Sequence, residues 1–510
     1  MKHISLIILL HSKQLMLATV CCALFFVTTA QQTVANKTFF QDRPTMLFSG
    51  VIADADTFIV LGVVTGVPNN TAKGIVGKVD SQIQFSHYKP IGDSINADYG
   101  LFWNTLLMNT QSEIVFTGYC NDSLASILVG LYSLALDSIY TNRIFYPNQT
   151  GGFQAYGIVE SIDGGYYIVG GRSNKVTANT DAFLLKVNSN LQQEWIKFYN
   201  QLIFDYAKSV TVLQNGNLLV GAFRNNNNQT PQKSNTWLLE VDTGGQFVRQ
   251  WFDPNDSTYV AEGLRQTQDG GFIYGAQKKN YQSGFSSVSY NATIVKMDSN
   301  FNKQWTFIRG GNDLSIYTGI TDIEELPDGS FVAAGHLTYY GTDTALNGYV
   351  VKLDVDGNVI WERNYRGINE SQTLNFLSDI DILPGGGLIA VGQCQKSGAT
   401  PPQVGWFLKL DSNGCEVENC ILSSPLTPEG GIKNKIQVWP NPASGRVQIH
   451  IENEMLSGEI KIYDVAGSLL LQNKMEATEM SVDVSSFAPG MYVVVAEKQG
   501  KVARSKLVVE

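Results

Sequence analysis

The stretch Ser161–Gly171, SIDGGYYIVGG, places four glycines within eight residues. A phosphate-cradling loop would set its glycines between a strand and the first turn of a helix. Here Asp163-Gly164-Gly165 leads into the apolar run Tyr166–Val169, and no helical pattern follows. Asp-Gly and Asn-Gly pairs supply the positive φ angles that tight hairpins demand. The stretch therefore predicts a hairpin corner feeding a strand.

The signature repeats along the chain. Gly62, Gly118, Gly170, Gly221, Gly275, Gly335 and Gly392 each close an apolar strand, at spacings of 56, 52, 51, 54, 60 and 57 residues. Turns precede them at Asp163-Gly-Gly165, Asn215-Gly-Asn217, Asp269-Gly-Gly271, Asp328-Gly-Ser330 and Gly385-Gly-Gly387. A second strand and turn follow, as in FLLKVNSN (183–190), TIVKMDSN (293–300) and WFLKLDSNG (406–414). Tryptophans at 195, 251, 305 and 361 keep the same period. Four short strands fit one such unit, and a lone sheet of four cannot cover both its faces. Packing seven around an axis does, which predicts an all-β, seven-bladed β-propeller over residues 42–420.

Bulk composition fits that class. The 510 residues exceed one ordinary domain, and 16% charged residues with 48 glycines favour strands and turns. A net charge of −10 with no basic run argues against a nucleic-acid partner. Asp354-Val-Asp356-Gly-Asn358 invites a calcium reading, but Tyr365 stands where a calcium loop needs its twelfth-position glutamate. A hairpin turn is expected there, and neither a metal nor another cofactor is expected anywhere.

Residues 1–30 read as a signal peptide, with the apolar core Leu15–Val27 and small residues Thr28-Thr-Ala30 before a cleavage point at Gln31. Thirteen apolar residues are too few to span a bilayer, so no transmembrane helix is expected. Export places the cysteines in an oxidising compartment. Cys415 and Cys420, beside the turn Asp411–Gly414, form a candidate disulfide, whereas Cys120 and Cys394 read as small buried strand residues.

Residues 421–435 carry Pro425, Pro428, Gly430 and Gly431 without alternation and read as a linker. A new rhythm then starts. Seven short apparent strands between Ile436 and Glu510 predict a small Ig-like β-sandwich.

Both regions resemble known families. The propeller repeats resemble those of exported Bacteroidetes proteins. The motifs VWPNPASGRVQI, IYDVAGSLLL, VDVSSFAPGMYVV and KLVVE resemble, in order, the type A C-terminal sorting domain of the type IX (Por) secretion system. The motif positions are Pro440, Asn441, Pro442, Asp464, Gly467, Gly490, Tyr492, Lys506, Leu507, Val508 and Val509. The resemblance implies a Sec-dependent route through the periplasm and recognition by the outer-membrane translocon. It also implies removal of the domain in the linker by a sortase-like protease, and attachment of the new C-terminus to anionic lipopolysaccharide.

For the propeller itself, a binding or adhesion module for a glycan or protein ligand is expected. Its contacts would come from polar loops such as Arg224–Asn235 and Lys278–Asn291. The alternative is a secreted carbohydrate-active hydrolase or lyase working through acidic residues, which need no linear motif. Asp322, Glu324 and Glu325 are the densest acidic group and are expected to face water. His87, His336 and His450 lack any recognisable nucleophile partner, so no catalytic residue is assigned.

Overall fold

In a computed structural model the described residues are 35–416 and 436–509, apart from 40–44, 55–56, 68–70, 92–97, 102–104, 122–125, 145–151, 174–178, 201–203, 227–232, 254–257, 282–287, 310–315, 340–344, 397–402, 452–455, 465–468 and 499–500. The signal peptide (1–30), the linker (421–435), Cys420 and Gly467 lie outside them. The chain divides into two compact units between Pro425 and Leu426.

Among the described residues of the first unit the strands pair antiparallel in seven successive groups of four, five in the second, with single parallel bridges joining some neighbouring groups. Blade three shows the pattern: Phe153–Glu160, Tyr166–Ser173, Thr180–Val187 and Gln193–Tyr199 pair in that order. The first strands are Thr45–Asp54, Leu106–Met108 (with Asp98–Gly100), Phe153–Glu160, Phe204–Val212, Thr258–Gln266, Ile316–Glu325 and Thr373–Ile382. All seven contribute to the lining of one axial cavity, so they are the innermost. Alternate side chains of each blade enter different cores. Leu388, Ala390 and Trp406 of blade seven pack against blade six, while Ile389, Val391 and Phe407 pack against blade one. One such core lies at every junction around the ring.

The repeat glycine has a steric cause. The innermost strand bulges beside it, for example between Leu377 and Asp379 opposite Gly392, and between Ile320 and Asp322 opposite Gly335. The bulge pushes the inner strand's backbone toward the second strand. A Cβ added at Gly170, Gly335 or Gly392 would run into the carbonyl oxygen of Gln154, Gly319 or Phe376. The turns also follow their sequence. Gly164 has φ +78°, and Asp163 Oδ1 accepts from the Gly165 N–H at 2.9 Å. The third-strand lysine of the repeat reaches back to that aspartate: Lys186 to Asp163 at 2.7 Å, Lys296 to Asp269 at 2.7 Å. In blade four the pair is inverted in kind, with Asn215 and Asn217 donating to Glu240.

Each outer strand is tied to the next blade's last turn. The donors run Lys89 to Asp137 (2.6 Å), Asn142 to Leu191 O (2.7 Å), Tyr199 to Gly245 O (2.8 Å) and Arg249 to Ser299 O (2.7 Å). Trp305 to Val355 O (2.9 Å) and Tyr365 to Gly414 O (2.6 Å) continue the series. At the seventh junction the donor is Lys37, to Ile83 O at 3.0 Å. Lys37 belongs to Ala35–Phe39, which pairs antiparallel with Gln403–Leu410 and completes blade seven. The propeller therefore begins before residue 42, with a strand that carries no repeat signature. Asn36 fixes it by accepting from Trp406 Nε1 (2.7 Å) and donating to Arg366 O (2.9 Å), and Phe39 packs against Phe48, Phe85 and Phe407.

The second unit has two sheets, Gln437–Trp439, Arg446–His450 and Glu479–Asp483 facing Leu469–Lys474, Glu459–Asp464, Gly490–Lys498 and Lys501–Val509. Ile449, Ile460, Ile462, Val482, Val494 and Leu507 fill the space between them. The seven strands of the expected sandwich are present, with boundaries shifted by a few residues.

Two measurements follow from the ring. Gly392→Ala is expected to destabilise the propeller by about 1–3 kcal/mol, the usual range for overpacking. Gly244→Ala, whose new Cβ would meet only Asp242 Oδ1 at 3.4 Å, is expected to be close to neutral. Urea midpoints of the two variants provide the comparison. The second concerns Asp379, whose carboxyl burial and the neighbouring Asp322 hold well above the ordinary aspartate range. A carboxyl with a raised folded pKa favours the fold while protonated and loses that contribution as pH rises from about 4, where unfolded aspartate ionises. Asp379→Asn is therefore expected to weaken the loss of thermal stability between acidic and neutral pH, and an unchanged pH slope would contradict the assignment.

Candidate functional site

Among the described residues, several of the motif positions come together although they span the whole second unit. Asp464 pairs with Tyr492, and Tyr492 with Leu507, so the three stand in one row across adjacent strands. Gly490 lies opposite Val509 at the end of the same ladder. The Tyr492 hydroxyl donates to Ala488 O at 2.6 Å and its ring meets Phe487 at 5.0 Å, which fixes the turn before that strand. Pro440 and Pro442 end the first strand and leave Asn441 facing the last one. Asn441 Oδ1 accepts from the Val508 N–H at 2.8 Å, and the Ala443 N–H donates to Val508 O at 2.9 Å. The Pro-Asn-Pro segment thus clamps the backbone of the terminal strand. Leu507 and Val509 are buried in the core, while Val508 stays half-buried.

A second site lies on the propeller axis. The cavity there measures about 350 Å³. Counting back 11 residues from each repeat glycine gives Val51, Leu107, Val159, Val210, Leu264, Glu324 and Asp381, and every one lines it. Counting back 13 gives Ser49, Thr105, Gly157, Lys208, Glu262, Asp322 and Asp379. At this position charge is confined to blades four to seven, where Lys208, Glu262, Asp322 and Asp379 follow one another, and Glu160 of blade three also lines the cavity. Arg265 bridges Asp322 (3.3 Å) and Glu324.

Burial governs the titration of these groups. It pushes Glu262 up to about 7, with Lys208 opposing and Asp322 adding to the rise. It also raises Glu324 and Asp381 and lowers Lys208. Asp322, expected to face water, is fully buried, and Glu324 faces the axial cavity. The reason is the ring itself: the innermost strand runs beside the axis, so its alternate residues, such as Asp322 and Glu324, point inward while Glu325 points away. Asp379 Oδ2 accepts from the Val51 N–H and Asp381 Oδ2 from the Ala53 N–H, both at 2.7 Å. These two carboxylates bind blade seven to the backbone of blade one. The sequence signal that finds them is the fixed offset from the repeat glycine.

Other sequence candidates resolve individually. Asp354 Oδ1 accepts from the N–H groups of Asp356 and Asn358, as in the equivalent turns at Asp242, Asp298 and Asp411. The expected hairpin turn is what forms. Among the described residues no group of three His, Cys, Asp or Glu could hold a metal ion, and no helix is long and apolar enough to cross a membrane. His336 is buried against Phe376 at 5.2 Å, and burial lowers its pKa to about 4. Cys120 and Cys394 are buried thiols on strands, as expected, and Cys415 is buried. The centres of the loops 224–235 and 278–291 fall outside the described residues.

Residues 437–510 match the family described as the secretion system C-terminal sorting domain. No curated protein matches the chain. Among solved structures it resembles the β-propeller domain of the trilobed protease from Pyrococcus furiosus, at 11% identity, covering 71% of this chain and 94% of that one, TM-score 0.40. It also resembles a protein of unknown function from Dyadobacter fermentans, at 12% identity, 75% and 98% coverage and TM-score 0.41. A third is the α-L-arabinanase of Penicillium chrysogenum complexed with arabinobiose, at 9% identity, 74% and 98% coverage and TM-score 0.39. The chain joins a propeller-like ring of β-sheets to a C-terminal unit, residues 437–510, that is similar to the secretion system C-terminal sorting domain.

Proposed function

We propose that the propeller is an extracellular binding module, exported as type IX cargo and delivered to the cell surface or medium by its C-terminal domain. The supporting observation is the clamp of Asn441 on Val508, which makes the two ends of the sorting motif one structural unit within the matched family region. In this reading residues 1–30 direct Sec export and are removed before Gln31. The translocon engages the terminal strand, and a sortase-like protease cuts within 421–435, with anionic lipopolysaccharide as the acceptor when the product stays anchored. Cys415 and Cys420 close a small disulfide loop just ahead of the cut, protecting the propeller's end. A binding role is favoured over hydrolysis because Asp379 and Asp381 hold backbone amides and Glu324 holds Arg265, which leaves three of the axial carboxyl groups committed to the fold.

Mass spectrometry of protein recovered from the cell surface and medium is expected to find Gln31 at the N-terminus and a C-terminus between 421 and 435. An intact chain through Glu510 would refute the sorting role. Asn441→Ala removes the acceptor for the Val508 N–H, a loss of about 1–3 kcal/mol from a small sandwich. The variant is expected to accumulate in the periplasm with its propeller folded. Thiol labelling of the denatured, unreduced protein is expected to modify Cys120 and Cys394 only, and labelling at Cys415 would exclude the disulfide.

A further inference from the structure

The strongest unassigned site lies between blades five and six, on the side of the ring that carries the hairpin turns. A cavity of about 540 Å³ opens there beneath the indole of Trp305. One face of that ring rests on Gly357, where an added Cβ would come within 2.6 Å of it. Its Nε1 donates to Val355 O, and its edge meets Phe331 at 5.7 Å. The indole is held rigidly yet remains half-exposed.

The polar groups around it are of one kind. Gln268 and Gln304 are exposed amides, and Glu325 and Asp356 supply carboxylates. Lys296, the cation of the lining, is buried and already engaged by Asp269 (2.7 Å) and Gln304 (2.9 Å). An anionic ligand would meet this acidic rim with no cation left to receive it. A purely apolar ligand would cover the exposed Asp356 carboxylate and the free Gln304 amide NH2 without replacing their water partners. A flat C–H face edged by hydroxyl groups meets both demands, since hydroxyls donate to carboxylates and both donate to and accept from amides. The volume lies within the ordinary range for small-ligand sites.

We infer that the groove between blades five and six binds a neutral glycan, with a sugar ring stacked on Trp305 and its hydroxyls held by Gln304 and Asp356. The inference rests on the reading of the propeller as a binding module and names its ligand class and site. The frame recurs at blade three, where Lys186 holds Asp163 (2.7 Å) and Glu194 (3.6 Å) beside Trp195. There a carboxylate replaces the amide of Gln304, so blade three offers a related but more acidic surface.

The test is isothermal titration calorimetry of the purified full chain against maltotriose, cellotriose, mannotriose and chitotriose, with trigalacturonate as the anionic comparison. At least one neutral trisaccharide is expected to bind and trigalacturonate is not. Gln304→Ala and Asp356→Ala, both at exposed positions, are each expected to weaken binding about 5-fold or more, the loss of one or two hydrogen bonds. Trp305→Phe, which keeps an aromatic ring on Gly357, is expected to weaken binding while leaving the melting curve cooperative. Absence of binding by all four neutral sugars would overturn the inference, as would equal binding of trigalacturonate or unchanged affinity in both alanine variants. Export and sorting are read separately on cells, and a propeller that reaches the surface and captures protein but no sugar would overturn this inference alone.

Discussion

A ring of sheets gains its inter-blade cores only when the last sheet meets the first, and here that meeting depends on a five-residue strand from the other end of the chain. Ala35–Phe39 supplies the outer edge of blade seven, the Lys37 contact to blade one and the Phe39 ring between them. Nearer the axis, Asp379 and Asp381 reach across to the amides of Val51 and Ala53. Without this junction, Phe48, Phe58, Ile389 and Phe407 would lose a shared core, and apolar burial is the dominant favourable term in any such fold. The other junctions repeat the same scheme with local residues. The seventh has to be assembled from segments more than three hundred residues apart.

Repetition at the level of blades does not mean repetition of side chains. What is kept is the physical role at each position. The turn-to-lysine contact survives in blade four as amides on a glutamate, and the outer-strand donor is in turn Lys, Asn, Tyr, Arg, Trp and Tyr. Each of these side chains is long enough to reach a turn one blade away. The repeat glycine has no such freedom at Gly170, Gly335 and Gly392, because the bulged strand beside each leaves no room for a Cβ.

This explains which parts of the molecule were legible in the sequence. Glycines and Asx-Gly turns are dictated by backbone geometry, so they mark the blades and the sandwich hairpins directly. Pro440-Asn-Pro442 and the terminal KLVV were visible as separate motifs, but their contact through Asn441 and Val508 is a tertiary fact. Ala35–Phe39 escaped because ANKTF has neither a turn glycine nor clear alternation, and its pairing partner is remote. The acidic axis was misread for a related reason. Asp322 and Asp379 lie 57 residues apart, which looks like separation along the chain and becomes adjacency once the chain is wound. A polar residue on a strand edge normally faces solvent; on the innermost strand of a propeller every other residue faces its equivalents in the neighbouring blades.

The strand Gln403–Leu410 also has a mechanical consequence. It is the last strand before the segment leading to the second domain, and it lies between Leu388–Lys396 on one side and Ala35–Phe39 on the other. A pull on the chain beyond Glu416 would enter the propeller along this strand and load both hydrogen-bond ladders in shear, many bonds at once. Asn36 adds a side-chain bond to Glu416 at 2.7 Å at the point of entry. A propeller tethered through this end would resist drag with a strand paired on both sides, and the first residues of its fold would act as the cleat that holds the line.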